Sequence, residues 1–410
     1  MSNNRICKIL KISKPIIQAP MAWITSPKLV AAVSNAGGLG VIGPNCGLKK
    51  PVSSVKDTVE EMRKSIRKTR ELTTKPFAMN VFTSAYDPFG YSKNIIDLCK
   101  EENVNILALI GGTNGFTVIA REINPTVKGS IAAEKAGADI IVATGCDEGG
   151  AMPYLVNGMT SITALISDAV KIPVLSAGGI VNEKLARAAK AVGAEGAYVG
   201  TRFMLSKECR LAQNAKDEIL RTHPDDYIVC IVSNGVSRWR TLPNEISRNG
   251  VNLNKKGNFS PPTGNSFKSL IQGNLQEGGV SIDNTISLIK TIDSFILFKK
   301  NSRTIFANGN QLPQFLIYTE VFTEYGVNGY RIDIGLAERE YDFMCPSITK
   351  YYGLGYMSFL QREITNWRST RQGNTSKTLR NNMYARAPML KCSVRSSSRD
   401  NSAFIKRKWK

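Results

Sequence analysis

The chain has 410 residues, 42% of them apolar, which is enough to bury one large core or two and suits a globular enzyme. No uninterrupted apolar stretch approaches a bilayer span and residues 1–13 lack the apolar core of a signal peptide, so the expectation is a cytoplasmic protein with no membrane role. The net charge of +21 suggests nucleic acid until it is located: from Arg368 to Lys410 twelve Lys or Arg face the single Asp400, in a Ser- and Asn-rich tail without a binding motif, so nucleic acid is not an expected partner.

Residues 16–21, Ile-Ile-Gln-Ala-Pro-Met, read as a short strand ending in a turn, followed by a helix over 27–35 and a strand into Gly40-Val41-Ile42. The alternation continues with helices predicted over 55–69, 94–102, 127–136, 160–170 and 183–192, and strands over 77–81, 106–110, 140–143 and 172–175. Strands alternating with helices imply a parallel sheet. One place breaks the pattern, because only residues 111–115 separate 106–110 from the next β-like run, 116–120, and a parallel pair is usually joined by a crossover of about a dozen residues or more. Either 116–120 is not a barrel strand, or a crossover helix is missing there.

Two strand ends carry turns suited to an anion, Leu175-Ser176-Ala177-Gly178-Gly179-Ile180 and Tyr198-Val199-Gly200-Thr201-Arg202. Glycines let backbone N–H groups approach a ligand oxygen, and two such ends separated by one helix match the last two βα units of a (β/α)8 barrel, where cofactor phosphates are held. The expected fold is therefore α/β, a TIM barrel over 1–215. Residues 216–294 are expected to form a small helical subdomain or lid and the return to the barrel, with a helical run over 281–292, and 295–410 a poorly ordered extension. The eight cysteines (Cys7, Cys46, Cys99, Cys146, Cys209, Cys230, Cys345, Cys392) show no C-x-x-C pair, so reduced thiols and no metal site are expected.

Pro15-Ile16-Ile17-Gln18-Ala19-Pro20-Met21, Asn35-Ala36-Gly37-Gly38-Leu39-Gly40, Met79-Asn80, Gly137-Ala138-Asp139, Glu148-Gly149-Gly150, Ala177-Gly178-Gly179-Ile180 and Gly200-Thr201-Arg202-Phe203 occur in this order, and together they resemble the nitronate monooxygenase (2-nitropropane dioxygenase) family. Flavin-dependent enoyl-acyl-carrier-protein reductases belong to the same group. The resemblance extends from about residue 13 to about residue 294, with Arg238-Trp239-Arg240 and Glu277-Gly278-Gly279 inside it. It implies a barrel that binds FMN at the C-terminal ends of its strands and acts on a small-molecule substrate with O2. Gly178, Gly179, Gly200 and Thr201, with Tyr198 and Val199 before them, would then hold the flavin phosphate. Ala19, Pro20 and Met21 would lie against the ring, Asn80 would donate to its polar edge, and Thr144 with Gly149 and Gly150 would face it.

Many family members carry a histidine directly after the paired glycines as a base; here that position is Ala151. An alanine moves no proton, and the one histidine, His223, lies outside these motifs and reads as a surface residue. Asp147 and Glu148 are weak candidates for the proton-transfer role, with turn capping as the alternative. Cys146 reads as a small buried neighbour of the site. The resemblance thus implies an oxidoreductase oxidising alkyl nitronates with O2. An enoyl-thioester reductase using NAD(P)H is the rival, and a non-catalytic flavoprotein with a basic nucleic-acid-binding tail is the alternative of another class.

Overall fold

The computed structural model describes residues 4–52, 54–81, 91–109, 115–232, 237–260 and 264–294. The chain separates into a unit over Met1–Gly326 and a second over Val327–Lys410, and every described residue belongs to the first. The expected extension 295–410 and most of the connection at 111–115 lie outside the described residues.

Eight parallel strands form one sheet: β1 (Ile16–Gln18), β2 (Gly40–Ile42), β3 (Phe77–Asn80), β4 (Ile106–Leu109), β5 (Thr117–Ala120), β6 (Ile140–Thr144) and, after a short strand β7 (Gly150–Met152) that pairs elsewhere, β8 (Val174–Ala177) and β9 (Gly196–Val199). Their order is β1-β9-β8-β6-β5-β4-β3-β2, and the two ends meet where Ile17 bridges Leu39, so the sheet closes into a barrel. The fully buried Gln18 reinforces that seam: its backbone N–H donates to Leu39 O at 2.9 Å and its Oε1 accepts from Val41 N at 3.1 Å.

Helices Pro27–Asn35, Val55–Leu72, Tyr91–Glu101, Val127–Lys135, Met159–Ala169 and Glu183–Ala191 surround the sheet. Local sequence starts most of them, since the side chains of Ser26, Ser54, Thr126 and Asn182 each accept from the N–H three residues on. Such a cap is worth ~1 kcal/mol. The lower barrel is aliphatic, with Ile17, Leu39, Val41, Ala78, Ile119, Val142 and Leu175 in one buried cluster. An N-terminal helix, Arg5–Leu10, adds Ile6 and Leu10 to that cluster.

The run at 116–120 is a barrel strand. Its core, β5, pairs in parallel with β4 from Ile106 opposite Thr117 to Leu109 opposite Ala120. Residues 110–116 are the whole connection. The return path is roughly 14 Å, from a rise of about 3.3 Å per residue along the strand and a lateral step of about 4.8 Å, whereas an extended link of this length reaches roughly 25 Å. Closure is thus feasible without a helix, and among the described residues no helix lies between β4 and β5.

A second sheet completes the described unit. Strands β10 (Ile228–Val232) and β11 (Ser237–Thr241) form an antiparallel pair, and β7 adds to β11 with Ala151 opposite Trp239. The expected helical run over 281–292 is corrected: only Ile286–Leu288 makes a single 3₁₀ turn. Polar side chains there bond local backbone instead, as where Thr285 N donates to Asp283 Oδ1 at 2.8 Å, and such contacts compete with helix formation. Residues 216–294 hold the end of helix Gln213–Arg221, the helices Glu245–Lys255 and Ser266–Leu270, and strands β10 and β11. The strand before the first anion turn sits two residues later than expected, Val174–Ala177 rather than 172–175, and the turn itself falls at Gly178 and Gly179.

Candidate active site

A cavity of about 450 Å³ opens at the C-terminal ends of the strands. Of the residues expected at a cofactor, Ala19, Pro20, Met21, Asn80, Gly149, Gly150, Gly178, Gly179, Tyr198, Val199, Gly200 and Thr201 all line it. Thr144 does not. It is buried at the end of β6, and its hydroxyl has no partner among the described residues. Ala151 lines the cavity at the place expected for a base.

The two glycine turns are built differently. Gly178 and Gly179 adopt φ of +97° and +68°, a region side chains rarely enter, and the Gly179 carbonyl accepts from Thr285 Oγ1 at 2.9 Å. A β-carbon on Gly178 would lie 2.9 Å from Gly145 O, whereas one on Gly200 would meet nothing nearer than Ala19 Cβ at 3.8 Å. The first turn is therefore shaped by packing against the β6 loop, and the second leaves open space beside Ala19.

The carboxylates of that loop separate cleanly. Asp147 Oδ2 accepts from Met159 N at 2.5 Å, at the first turn of Met159–Ala169, and Oδ1 accepts from Asn284 Nδ2 at 2.9 Å. It does not line the cavity. Glu148 does, and its Oε2 accepts from Arg121 Nη2 at 2.6 Å. Burial pushes the Glu148 carboxyl up to about 7, against the pull of Arg121 and Arg240. Arg240 Nη1 donates to the main-chain oxygens of Cys146 at 2.9 Å and Glu148 at 2.7 Å, which fixes the loop. Burial and the neighbouring Asp147 also raise the Cys146 thiol, so it is no ready thiolate. His223 is exposed and accepts from Asp225 N at 3.3 Å, away from the cavity.

Sequence reasoning missed Arg121, Trp239 and Asp283. Arg121 follows β5 into the cavity lining; Trp239 lines it from β11, and its indole N–H is buried without a partner among the described residues. Asp283 is buried beside Thr285, and burial raises its carboxyl. The Arg238-Trp239-Arg240 motif was visible in the sequence, but not its pairing with β7.

The residues present fit a flavin: a cavity of this size holds a molecule of that class, and its lining includes two glycine turns, the Asn80 amide and the Trp239 indole. A profile of the family described as "Nitronate monooxygenase" matches residues 3–117 and 113–279, so the matched segments meet at the shortened connection. A probable nitronate monooxygenase of Staphylococcus aureus strain JH9 is 30% identical over 276 residues, spanning 56% of this chain and 75% of that protein. Among solved structures, FabK from Thermotoga maritima matches with a TM-score of 0.61 and 26% identity, over 73% of this chain and 94% of that one. A nitroalkane oxidase from Streptomyces ansochromogenes shares the fold, with a TM-score of 0.55 and 22% identity over 71% and 94% of the two chains. With the family profile covering most of the barrel and its cavity, the chain belongs to the nitronate monooxygenase family of flavin-dependent oxidoreductases.

Proposed function

We propose that this chain is an FMN-dependent oxidoreductase that oxidises alkyl nitronates with O2. The observation that carries the reading is that Ala19–Met21, Asn80 and both glycine turns line one and the same cavity. Gly200 and Thr201, with Gly178 and Gly179, would hold the phosphate through backbone N–H groups and a hydroxyl. Ala19, Pro20 and Met21 would pack on one ring face, and Asn80, one N–H of whose amide donates to Ala108 O at 3.0 Å, would give its other N–H to the polar edge. Bound flavin supplies the electron transfer between substrate and O2. Trp239, opposite Ala151, closes the cavity from the second sheet and limits water there.

Residues 1–215 would constitute the flavin barrel, 216–294 its cover, and 295–410 a basic extension outside the family match. Purified protein should show a visible flavin band that nitronate bleaches anaerobically and O2 restores. Bleaching by NAD(P)H but not by nitronate would favour the second reading, enoyl-thioester reduction, which the likeness to FabK supports. A protein with no flavin band after reconstitution with FMN would refute both.

A further inference from the structure

We propose that Glu148 exchanges the substrate's α-proton in this chain, with Arg121 as its positioning residue, so that a carboxyl serves where Ala151 cannot. The inference rests on reading the cavity as a flavin-dependent oxidation site. Among the described residues Asp147 uses both oxygens on Met159 and Asn284, Asp283 accepts from Thr285 N and Oγ1, burial raises the Tyr198 hydroxyl and keeps it protonated, and His223 is outside the cavity. Glu148 differs. One oxygen is held by Arg121, while Oε1 has less than 1 Å² exposed and no partner among the described residues. A buried acceptor in that condition costs free energy unless something completes its hydrogen bonding, and a proton of its own does so.

The surroundings keep both protonation states within reach. Arg121 reaches Glu148 from the end of β5; Tyr198, on β9, presents a buried hydroxyl that also lacks a partner among the described residues; Arg240 comes from β11 with the buried Asp283 nearby. Burial raises the carboxyl and the two guanidiniums lower it, leaving it near 7, where acid and base forms coexist at neutral pH. Rotation about the terminal carboxyl torsion is soft and exchanges the two oxygens. With a neutral nitroalkane in the cavity, the α C–H bond breaks and its proton passes to the carboxylate. The electron pair enters the C=N bond, and the negative charge settles on the nitro oxygens beside Arg121. No electron leaves the substrate in this step, so it precedes and is separable from oxidation.

The test is deuterium uptake at the α-carbon of nitroethane in D2O under argon, followed by proton NMR with the full-length chain. The rate should rise with pH through about 7 and then level, as the base form accumulates. Glu148→Gln should lower it by about 100-fold and abolish that rise. Arg121→Met keeps the carboxyl but removes the nearest cation, so its midpoint should move to higher pH. Infrared spectroscopy should show a protonated carboxyl band that titrates near neutrality and is absent in Glu148→Gln. An unchanged pH profile in Glu148→Gln overturns the proposal; if that variant does not fold, an unmoved midpoint in Arg121→Met does so. Because exchange needs no oxidant, a chain that exchanges protons with this profile yet oxidises no nitronate would uphold Glu148 and refute the function proposed above.

Discussion

Alanine at Gly178 and alanine at Gly200 should behave oppositely, although both glycines line one cavity. At Gly178 the backbone has φ of +97°, and holding a side chain in such a region costs about 1–3 kcal/mol. The new methyl would also sit 2.9 Å from Gly145 O and 3.2 Å from Glu148 N, both main-chain atoms that give way only if the β6 loop moves. Overpacking of this kind adds about 1–3 kcal/mol. Together they predict a loss of about 3 kcal/mol for Gly178→Ala, a fall in melting temperature of about 6–10 °C for a domain of this size. At Gly200 φ is −105° and the nearest atom to the new methyl is Ala19 Cβ at 3.8 Å, so Gly200→Ala should stay within about 0.5 kcal/mol of the parent. Gly200→Asp then becomes the sharper probe of the phosphate, since its carboxylate enters open space without straining the fold. It should lower FMN affinity by about 100-fold or more at nearly unchanged melting temperature. Calorimetry of the apoprotein and fluorescence titration with FMN measure the two effects separately. Equal melting temperatures for Gly178→Ala and the parent, or full FMN affinity in Gly200→Asp, would refute the reasoning.

Asp147→Ala removes the acceptor of Met159 N and of Asn284, and should cost about 1–3 kcal/mol in urea unfolding; an unchanged midpoint would show that the loop is held by Arg240 alone. Stability should fall as pH rises from about 4.5 to about 7, because the folded chain holds the Glu148 proton above the unfolded value, and Glu148→Gln should flatten that limb. Glu102 works with the opposite sign. Burial tends to raise its carboxyl, but hydrogen bonds from Arg67 and Arg63 leave it lowered, so the stability it confers is complete above the ordinary glutamate range and is lost as pH falls through its folded value. Glu102→Gln should therefore reduce the acid sensitivity of unfolding. Truncation after Ser294 should leave FMN binding within about twofold, and loss of the flavin site would make the extension part of the enzyme.

Much of the barrel is written locally. Ser26-Pro27, Thr126 and Asn182 start helices by side-chain caps that depend on no distant partner, and the strand-to-helix rhythm follows from hydrophobic period. What the sequence hid depends on partners far along the chain. Strand β7 is Gly150–Met152 and exists because β11 lies beside it. The run 281–292 misleads because Ile282, Ile286 and Ile289 fall at helical spacing and are all buried, yet they reach the core from an irregular segment. Asp147 and Glu148 are indistinguishable in sequence; Met159 N and Arg121, 12 and 27 residues away, tell them apart. Arg121 itself could be placed only once the strand before it was known to belong to the barrel.

The shortened link between β4 and β5 bears on what a barrel's outer ring contributes. Leu107 and Val118 carry no exposed surface even though among the described residues no helix lies between their strands, because they pack in a cluster with Ile95, Leu98 and Cys99 of the preceding helix and Ala133 of the following one. The two flanking helices supply the shielding there. The outer layer is in that respect redundant: a helix can be deleted if its neighbours re-cover the exposed apolar strip, and the hydrogen-bonded ring persists because its closure is specified strand to strand. The same locus is accordingly a natural point for protein engineers to reinsert a segment, and its success would be read in thermal tolerance rather than in chemistry.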